Sequence, residues 1–372
     1  MMVVVCTVAL TTGTPAFAQD AEDTYIDEIV TIGSRSTKPR SIRDSPVPVD
    51  VISADDLTAM GGTVDLTDNL KNLIPSYTAT PATGDTSAFV RPTSLRGTAP
   101  DQTLVLVDGK RRHRSSVVQF FAPAAGNGSQ GADIGMIPSI ALKRVEVLRD
   151  GAASQYGSDA IAGVINFVTK DNSEGGTYQF QYGQHYQGEQ SYKLGMNQGF
   201  SLGDKGFISI SAEYSDNEAL SRGQQRPDAQ ALIDAGVQGV GSDAPFGDAP
   251  LVQTWGRPET NALRLFVNAG IDINENTSLY ARAGYGDTFG RYRFFYRRPG
   301  DDDDAAALEA LVGLGYTGPL AQRGYTPFLD GNQKDYSLAT GIKGDLSNGT
   351  VYDFSFSYGR NEMSLFLNNE IN

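Results

Sequence analysis

The stretch Leu263-Arg264-Leu265-Phe266-Val267-Asn268-Ala269-Gly270-Ile271-Asp272-Ile273 decides how this chain folds. Successive side chains of an extended strand point to opposite faces, so Leu263, Leu265, Val267, Ala269, Ile271 and Ile273 share one side. Arg264, Asn268 and Asp272 share the other, with Phe266 and Gly270 among them. An amphipathic helix would instead repeat its apolar residues every three or four positions. The period of two recurs at Tyr178/Phe180/Tyr182, Ile208/Ile210/Ala212/Tyr214, Leu279/Ala281/Ala283/Tyr285, Tyr336/Leu338/Thr340/Ile342 and Tyr352/Phe354/Phe356/Tyr358. With Ser191 to Leu202, seven candidate strands are spread over residues 172–372.

Strands of roughly 9–12 residues with one apolar and one polar face suit an outer-membrane barrel, whose outside meets lipid and whose lumen is polar. Lipid offers the backbone no hydrogen bonds, so only a closed ladder satisfies it there. The connections agree with this reading. Gly203 to Gly206, Asn274 to Asn276 and Ser347 to Gly349 are short turns, whereas Asn217 to Thr260 and Asp287 to Gln333 are long and rich in Gly, Asp and Pro. Barrels of this kind alternate short periplasmic turns with long external loops. A soluble β-sandwich also alternates its faces, but it requires neither this strand length nor this asymmetry of loops. Seven strands leave unpaired edges, so the chain is expected to hold only the first part of a barrel.

The N-terminus sets the compartment. Met1 to Ala18 carries no charge, opens on the apolar run Met1 to Leu10 and ends on Ala16-Phe17-Ala18, the small-x-small pattern of a signal-peptidase site. Residues 1–18 are read as a signal peptide, whose removal takes away Cys6, the only cysteine. No disulfide is then expected. With two histidines and one cysteine in 372 residues, zinc-finger and iron–sulfur architectures are excluded, and neither a metal nor a cofactor is expected. Asp and Glu number 44 against 30 Lys and Arg, a net charge of −14 that argues against a nucleic-acid partner. Beyond residue 18 no apolar stretch is long enough for a transmembrane helix.

Residues 19–44 read as a polar linker with one apolar β-prone patch, Ile26-Asp27-Glu28-Ile29-Val30-Thr31-Ile32, closed by Gly33. Residues 45–171 mix signals into an α+β domain. Val47, Val49 and Val51 predict a strand, and Ser53 followed by Asp56 predicts a capped helix stopped by Gly61-Gly62. Leu66, Leu70 and Leu73 sit at helical spacing between a Thr63 cap and Pro75. Leu104 to Val107 is a strand closed by the tight turn Asp108-Gly109. Val145 to Leu148 and Val164 to Val168 are further strands, separated by a small-residue helix around Ala152 to Gln155.

These residues together resemble the TonB-dependent outer-membrane receptor family, along essentially the whole chain. Ile26 to Ile32 is similar to that family's TonB box. Leu95-Arg96-Gly97 resembles the Ile-Arg-Gly of its plug domain, and Thr103 to Lys110, with Asp108 and Gly109, resembles its Val-Leu-Val-Asp-Gly strand and turn. Ile140 to Gly151, with Glu146 and Arg149, resembles the next plug strand, and Tyr156-Gly157 through Gly163-Val164-Ile165-Asn166 resembles the closing helix and strand. The resemblance implies an α+β plug domain over 45–171, preceded by a periplasmic linker, and an antiparallel transmembrane β-barrel from 172 to 372. That barrel is truncated at about seven strands, where family members close with roughly 22. In the family the arginines matching Arg96 and Arg149 pair with glutamates of the barrel wall.

The implied function is active import, across the cell outer membrane, of a scarce nutrient such as a ferric siderophore. The implied partners are TonB, with ExbB and ExbD, an extracellular small-molecule ligand, and outer-membrane lipid. An extended apolar patch on a linker is what β-augmentation by a periplasmic partner requires. A passive porin-like channel is the alternative, and it needs neither that patch nor a domain ahead of the strands. Arg111, Arg112, His113 and Arg114, following Lys110, are candidate contacts for an anionic ligand, with a plug–barrel contact as the plainer reading. Gly126 to Gly131 fits G-x-G-x-x-G but lacks the flanking strand and long helix, so it reads as a loop. Asp301 to Asp304 lacks the spacing of a calcium loop and reads as solvated external chain. No Ser/His/Asp constellation, Walker loop or G-x-S-x-G occurs, and the chain is not expected to be an enzyme.

Overall fold

The computed structural model describes residues 8–11, 29–32, 40–41, 48–59, 65–79, 85–119, 126–149, 153–241, 251–254, 256–300 and 305–371. The first domain is built on a five-stranded sheet in the order Val49–Ser53, Leu142–Leu148, Gly163–Thr169, Thr103–Val107, Lys110–Arg111. Strand Gly163–Thr169 lies between a parallel and an antiparallel neighbour, and so is buried on both edges. Ile52, Leu70, Ile74, Leu142, Val145, Ile165 and Phe167 form the core between this sheet and its helices.

Local chemistry explains the elements. Helix α1, Ala54–Ala59, opens on a reciprocal box: Asp56 N donates to Ser53 Oγ at 3.0 Å, and Ser53 N donates to Asp56 Oδ2 at 3.3 Å. Helix α2, Leu66–Leu73, is capped by Asp65 in place of the expected Thr63. Asp65 Oδ1 accepts from Thr67 N at 2.7 Å, and the helix ends at Ile74, before Pro75. The turn between Thr103–Val107 and Lys110–Arg111 has Asp108 at φ +46° and Gly109 at φ +78°. Two left-handed residues in a two-residue hairpin turn are what Asp-Gly supplies at low cost.

All seven expected strands are present. Gly176–Gln184, Gln190–Ser201, Gly206–Asn217, Glu259–Asn274, Thr277–Arg293, Phe328–Asp345 and Val351–Asn368 pair antiparallel in succession and form a wall beside the first domain. The last four run to 16–18 residues, longer than expected. Their ladders continue past the apolar band, through Asp287–Arg293 paired with Phe328–Lys334, where lipid no longer imposes alternation. The second long connection therefore spans 294–327, and it contains helices at Ala306–Gly313 and Leu320–Arg323. The first carries a helix at Pro227–Asp234, and Ala229, Val240 and Val252 pack with Tyr296 of the second. Asp301 to Asp304 lie outside the described residues.

The two faces of the wall are inverted relative to a soluble sheet. Phe180, Leu194, Met196, Leu265, Phe354 and Phe356 stand exposed on the outside. Gln181, Lys193, Asn197, Glu213, Asn268 and Asp335 are buried on the inside, toward the first domain. An exposed apolar face over a buried polar one suits lipid on one side and a filled lumen on the other. At the outer edge of the first wall strand, Val8–Thr11 pairs antiparallel with Thr177–Phe180. This tetrapeptide lies within the stretch read as a signal peptide, and it covers an edge that would otherwise expose unpaired backbone groups.

Candidate functional site

Two linked features join the linker, the first domain and the wall. The first is a latch. Glu146, on Leu142–Leu148, is fully buried, yet its carboxylate is well satisfied. It accepts from Thr31 N at 3.2 Å, from Thr31 Oγ1 at 2.7 Å, from Arg144 Nε at 2.8 Å and from Asn166 Nδ2 at 3.1 Å. Beside it Ile32 is buried in a pocket formed with Val49, Leu104, Leu106, Leu148 and Val164. Ile29 and Val30 pair with Ser41 and Arg40 in a short antiparallel ladder. The second half of the box-like segment is thus docked on the first domain. Ile26, Asp27 and Glu28 lie outside the described residues.

The second feature is a seam of charges between the first domain and the wall. Asp108 accepts from Thr169 N at 2.9 Å and Thr169 Oγ1 at 2.6 Å, and it faces Arg282 of the wall at 2.8 Å. Lys110 Nζ donates to Asp353 at 2.8 Å and to Ser355 Oγ at 2.9 Å. Arg112 and His113 both meet Asp335, the latter at 2.7 Å. Asp133 accepts from Gln333 Nε2 at 2.9 Å and from Gly135 N at 2.8 Å. Burial pushes the Asp133 carboxyl above its ordinary value, and the nearby Asp335 adds to the effect. A cavity of about 270 Å³ opens along this seam between Val107, Lys110, Arg112, Phe266, Arg282 and Tyr358.

Most of the basic cluster is engaged by carboxylates of the protein itself. Lys110, Arg112 and His113 meet wall carboxylates, Arg111 pairs with Asp159 of its own domain, and only Arg114 of the candidate ligand contacts is exposed without a described ion pair. Asp353 is the third residue of its strand, beside the short-turn end of the wall, where an external ligand is not met first. In this structure Lys110, Arg112 and His113 thus form plug–wall contacts.

The two arginines of the sequence motifs also find other partners. Arg96, left-handed at φ +57° and followed by Gly97 at φ +69°, donates to the carbonyls of Ile161 and Ala162 at 3.3 and 3.0 Å. Arg149 pairs with Asp50 on the neighbouring strand Val49–Ser53. The wall carboxylate Glu213 is taken instead by Ser139 Oγ at 2.6 Å and Ile140 N at 3.3 Å. Arg264 stands 3.4 Å from Glu213, and Lys193 Nζ donates to Ser139 Oγ at 3.0 Å. The wall supplies its own cations there, so a plug arginine is not needed to neutralise Glu213.

Gly163 starts its strand at φ +139°, and a Cβ would strike the Leu148 carbonyl and the Leu95 side chain. Gly157 precedes the short 158–160 turn. Gly126 to Gly131 forms a tight turn against Pro100, with Gln119 N bonded to the Ser129 carbonyl at 2.9 Å. Arg282, Asp335, Asp353 and Glu213 were not singled out from the sequence as site residues. Their only signal was a charge at an inward position of an alternating strand.

A wall with a lipid-facing exterior and a separate domain pinned to its polar interior defines the class: part of an outer-membrane β-wall with a plug. Comparisons with known proteins agree. Residues 41–164 match the family model described as the TonB-dependent Receptor Plug Domain. The iron-regulated outer membrane virulence protein of Vibrio cholerae serotype O1 is 35% identical over 169 residues, 45% of this chain and 24% of that protein. The ferric enterobactin receptor PfeA of Pseudomonas aeruginosa superposes with a TM-score of 0.56 at 18% identity, over 86% of this chain and 41% of that one. The siderophore receptor PirA of Acinetobacter baumannii does so with a TM-score of 0.50 at 19% identity, over 85% and 44%. The chain spans less than half the length of the structures it matches. Residues 41–164 are thus a plug domain of the TonB-dependent receptor type, and the relatives place the protein in the outer membrane.

Proposed function

We propose that the protein imports a scarce ligand too large for passive channels, a ferric siderophore being the first to test. TonB, with ExbB and ExbD, drives import by pairing with Ile26 to Ile32. Residues 1–18 act as the export signal, 19–44 as the periplasmic linker, 45–171 as the plug and 172–372 as the wall. The description of the Vibrio relative as iron-regulated supports the choice of iron chelates as first cargo.

One observation carries the reading: Thr31 and Ile32 are docked on the plug around Glu146. Burying an isoleucine side chain is worth about 1.5–3 kcal/mol, and a hydrogen bond to a charged group adds about 1.5–3 kcal/mol. The attachment is therefore small beside the plug core, and the segment detaches without unfolding that core. Its main chain then becomes available for strand addition, in which backbone pairing supplies affinity. A passive channel has no use for a plug held by buried ion pairs or for a withheld β-prone segment.

The test is accumulation of radiolabelled ferric siderophores, alongside surface binding, in cells with and without TonB. Accumulation that requires TonB, with binding that does not, is expected. Equal accumulation in both strains would overturn the proposal and favour a porin.

A further inference from the structure

Asn166 touches both the latch and the seam. It is fully buried on Gly163–Thr169, opposite Glu146 on one neighbouring strand and Leu106 on the other. Its Nδ2 donates to Thr31 Oγ1 and to Glu146 Oε2, both at 3.1 Å. Its Oδ1 accepts from Gly109 N at 2.9 Å. Gly109 is the residue between Asp108, which faces Arg282, and Lys110, which reaches Asp353. A carboxamide both donates and accepts through one rigid planar group. An aspartate here would set a second buried carboxylate against Glu146, and a leucine would leave Gly109 N and Glu146 each short of a partner.

We infer that Asn166 couples the docking of Thr31 to the grip of the wall on the Asp108-Gly109-Lys110 turn. When Thr31 leaves, the Asn166 amide loses one of its two acceptors, and its hold on Gly109 loosens. The turn then keeps its bonds to Thr169 and the Phe167 carbonyl and its contacts with Arg282 and Asp353, but has lost its tie to the latch, beside the cavity that borders Lys110 and Arg282. The coupling runs equally in reverse, since linkage between two sites is reciprocal. Asn166 is thus a positioning residue: it acts through Gly109 and Thr31. The inference rests on reading Ile26 to Ile32 as the segment that TonB engages, but its test uses neither TonB nor cargo.

The measurement is amide hydrogen exchange of the whole membrane-inserted protein, read at Thr31–Ile32 and at Asp108–Arg112. Thr31→Ala is expected to speed exchange at Gly109 by about fivefold or more, and Arg282→Gln to do the same at Ile32. In an Asn166→Leu background both transmitted effects should vanish, while the local effects remain. Should Asn166→Leu fail to fold, the two single variants still decide, because coupling predicts that each disturbs the other's segment. Substitutions that speed exchange only in their own segment would overturn the inference. An error in the TonB reading would appear separately, as uptake without TonB in a protein whose coupling is intact.

Discussion

Arg282, on the fifth wall strand, holds Asp108, in the plug's hairpin turn, across 2.8 Å with both side chains largely buried. The two residues lie far apart in sequence and on different domains, so the pair is a direct measure of how the plug is seated. Arg282 also stacks at 4.7 Å on Tyr280, whose hydroxyl donates to the same Asp353 that Lys110 reaches. The turn is thereby gripped from both sides.

Asp108→Asn should weaken plug seating without disturbing the turn, because asparagine tolerates the left-handed backbone at this position. The carboxamide still accepts from Thr169 N, but Arg282 keeps a buried charge that is no longer neutralised. Losing one partner of a buried pair costs about 3–5 kcal/mol, and the residual contact with Tyr280 places the expected loss near the lower end. Urea-induced release of the plug, followed by hydrogen exchange in the 103–111 hairpin, measures it. Unchanged release would show that the pair does not hold the plug.

Asp65→Ala removes both the cap of α2 and a partner of Arg91, 3.6 Å away. Burial raises the Asp65 carboxyl, but Arg91 and the amides of Thr67 and Asp68 outweigh that and leave it below its ordinary value. Loss of the cap alone costs about 0.5–2 kcal/mol. Asp65→Ser should restore the cap but not the ion pair, and so recover only part of the stability. Plug unfolding monitored by hydrogen exchange at Leu66–Leu73 distinguishes the three proteins.

Asp133 gives plug seating a pH dependence of opposite sign. Its raised carboxyl pKa means that the folded state favours the protonated form. The stabilisation it gives is complete below the ordinary value of 3.8 and is lost as pH rises through the raised value. Asp65, held low, behaves in the opposite way, so the comparison must be made against one variant. Asp133→Asn is expected to seat the plug more firmly than wild type at about pH 7, with the gap closing as pH falls towards about 4. A gap that stays constant over that range would mean Asp133 does not titrate there.

The wall was legible because lipid and lumen impose a period of two on every strand they touch. Leu263 to Ile273 states it outright, while Asp287 to Arg293 lies beyond the apolar band and pairs without announcing itself. The pattern also gave the inward side of Arg264 and Arg282, but not their partners. Lys110 and Asp353 are 243 residues apart, and their meeting depends on how the plug is seated. Asp65 was missed as a cap because two cap-forming residues, Thr63 and Asp65, closely precede Leu66, and local sequence does not choose between them. Arg96 was legible as a motif, whereas its bonds to the Ile161 and Ala162 carbonyls depend on how the plug folds.

The box-like segment supplies the last test, of mechanism. Ile29 and Val30 already lie in an extended two-residue ladder with Ser41 and Arg40, so the backbone has the conformation that strand addition needs. Proline at Val30 removes the amide donor of that residue and fixes φ near −65°, which a central ladder position does not tolerate. Alanine at Val30 keeps the main chain, and so the pairing that supplies affinity. Val30→Pro should therefore abolish accumulation of a labelled cargo, while Val30→Ala reduces it only modestly. Surface binding should be equal in both, because neither change touches the long loops at 218–258 and 294–327. Wild-type accumulation by Val30→Pro cells would show that this segment does not transmit energy to the plug.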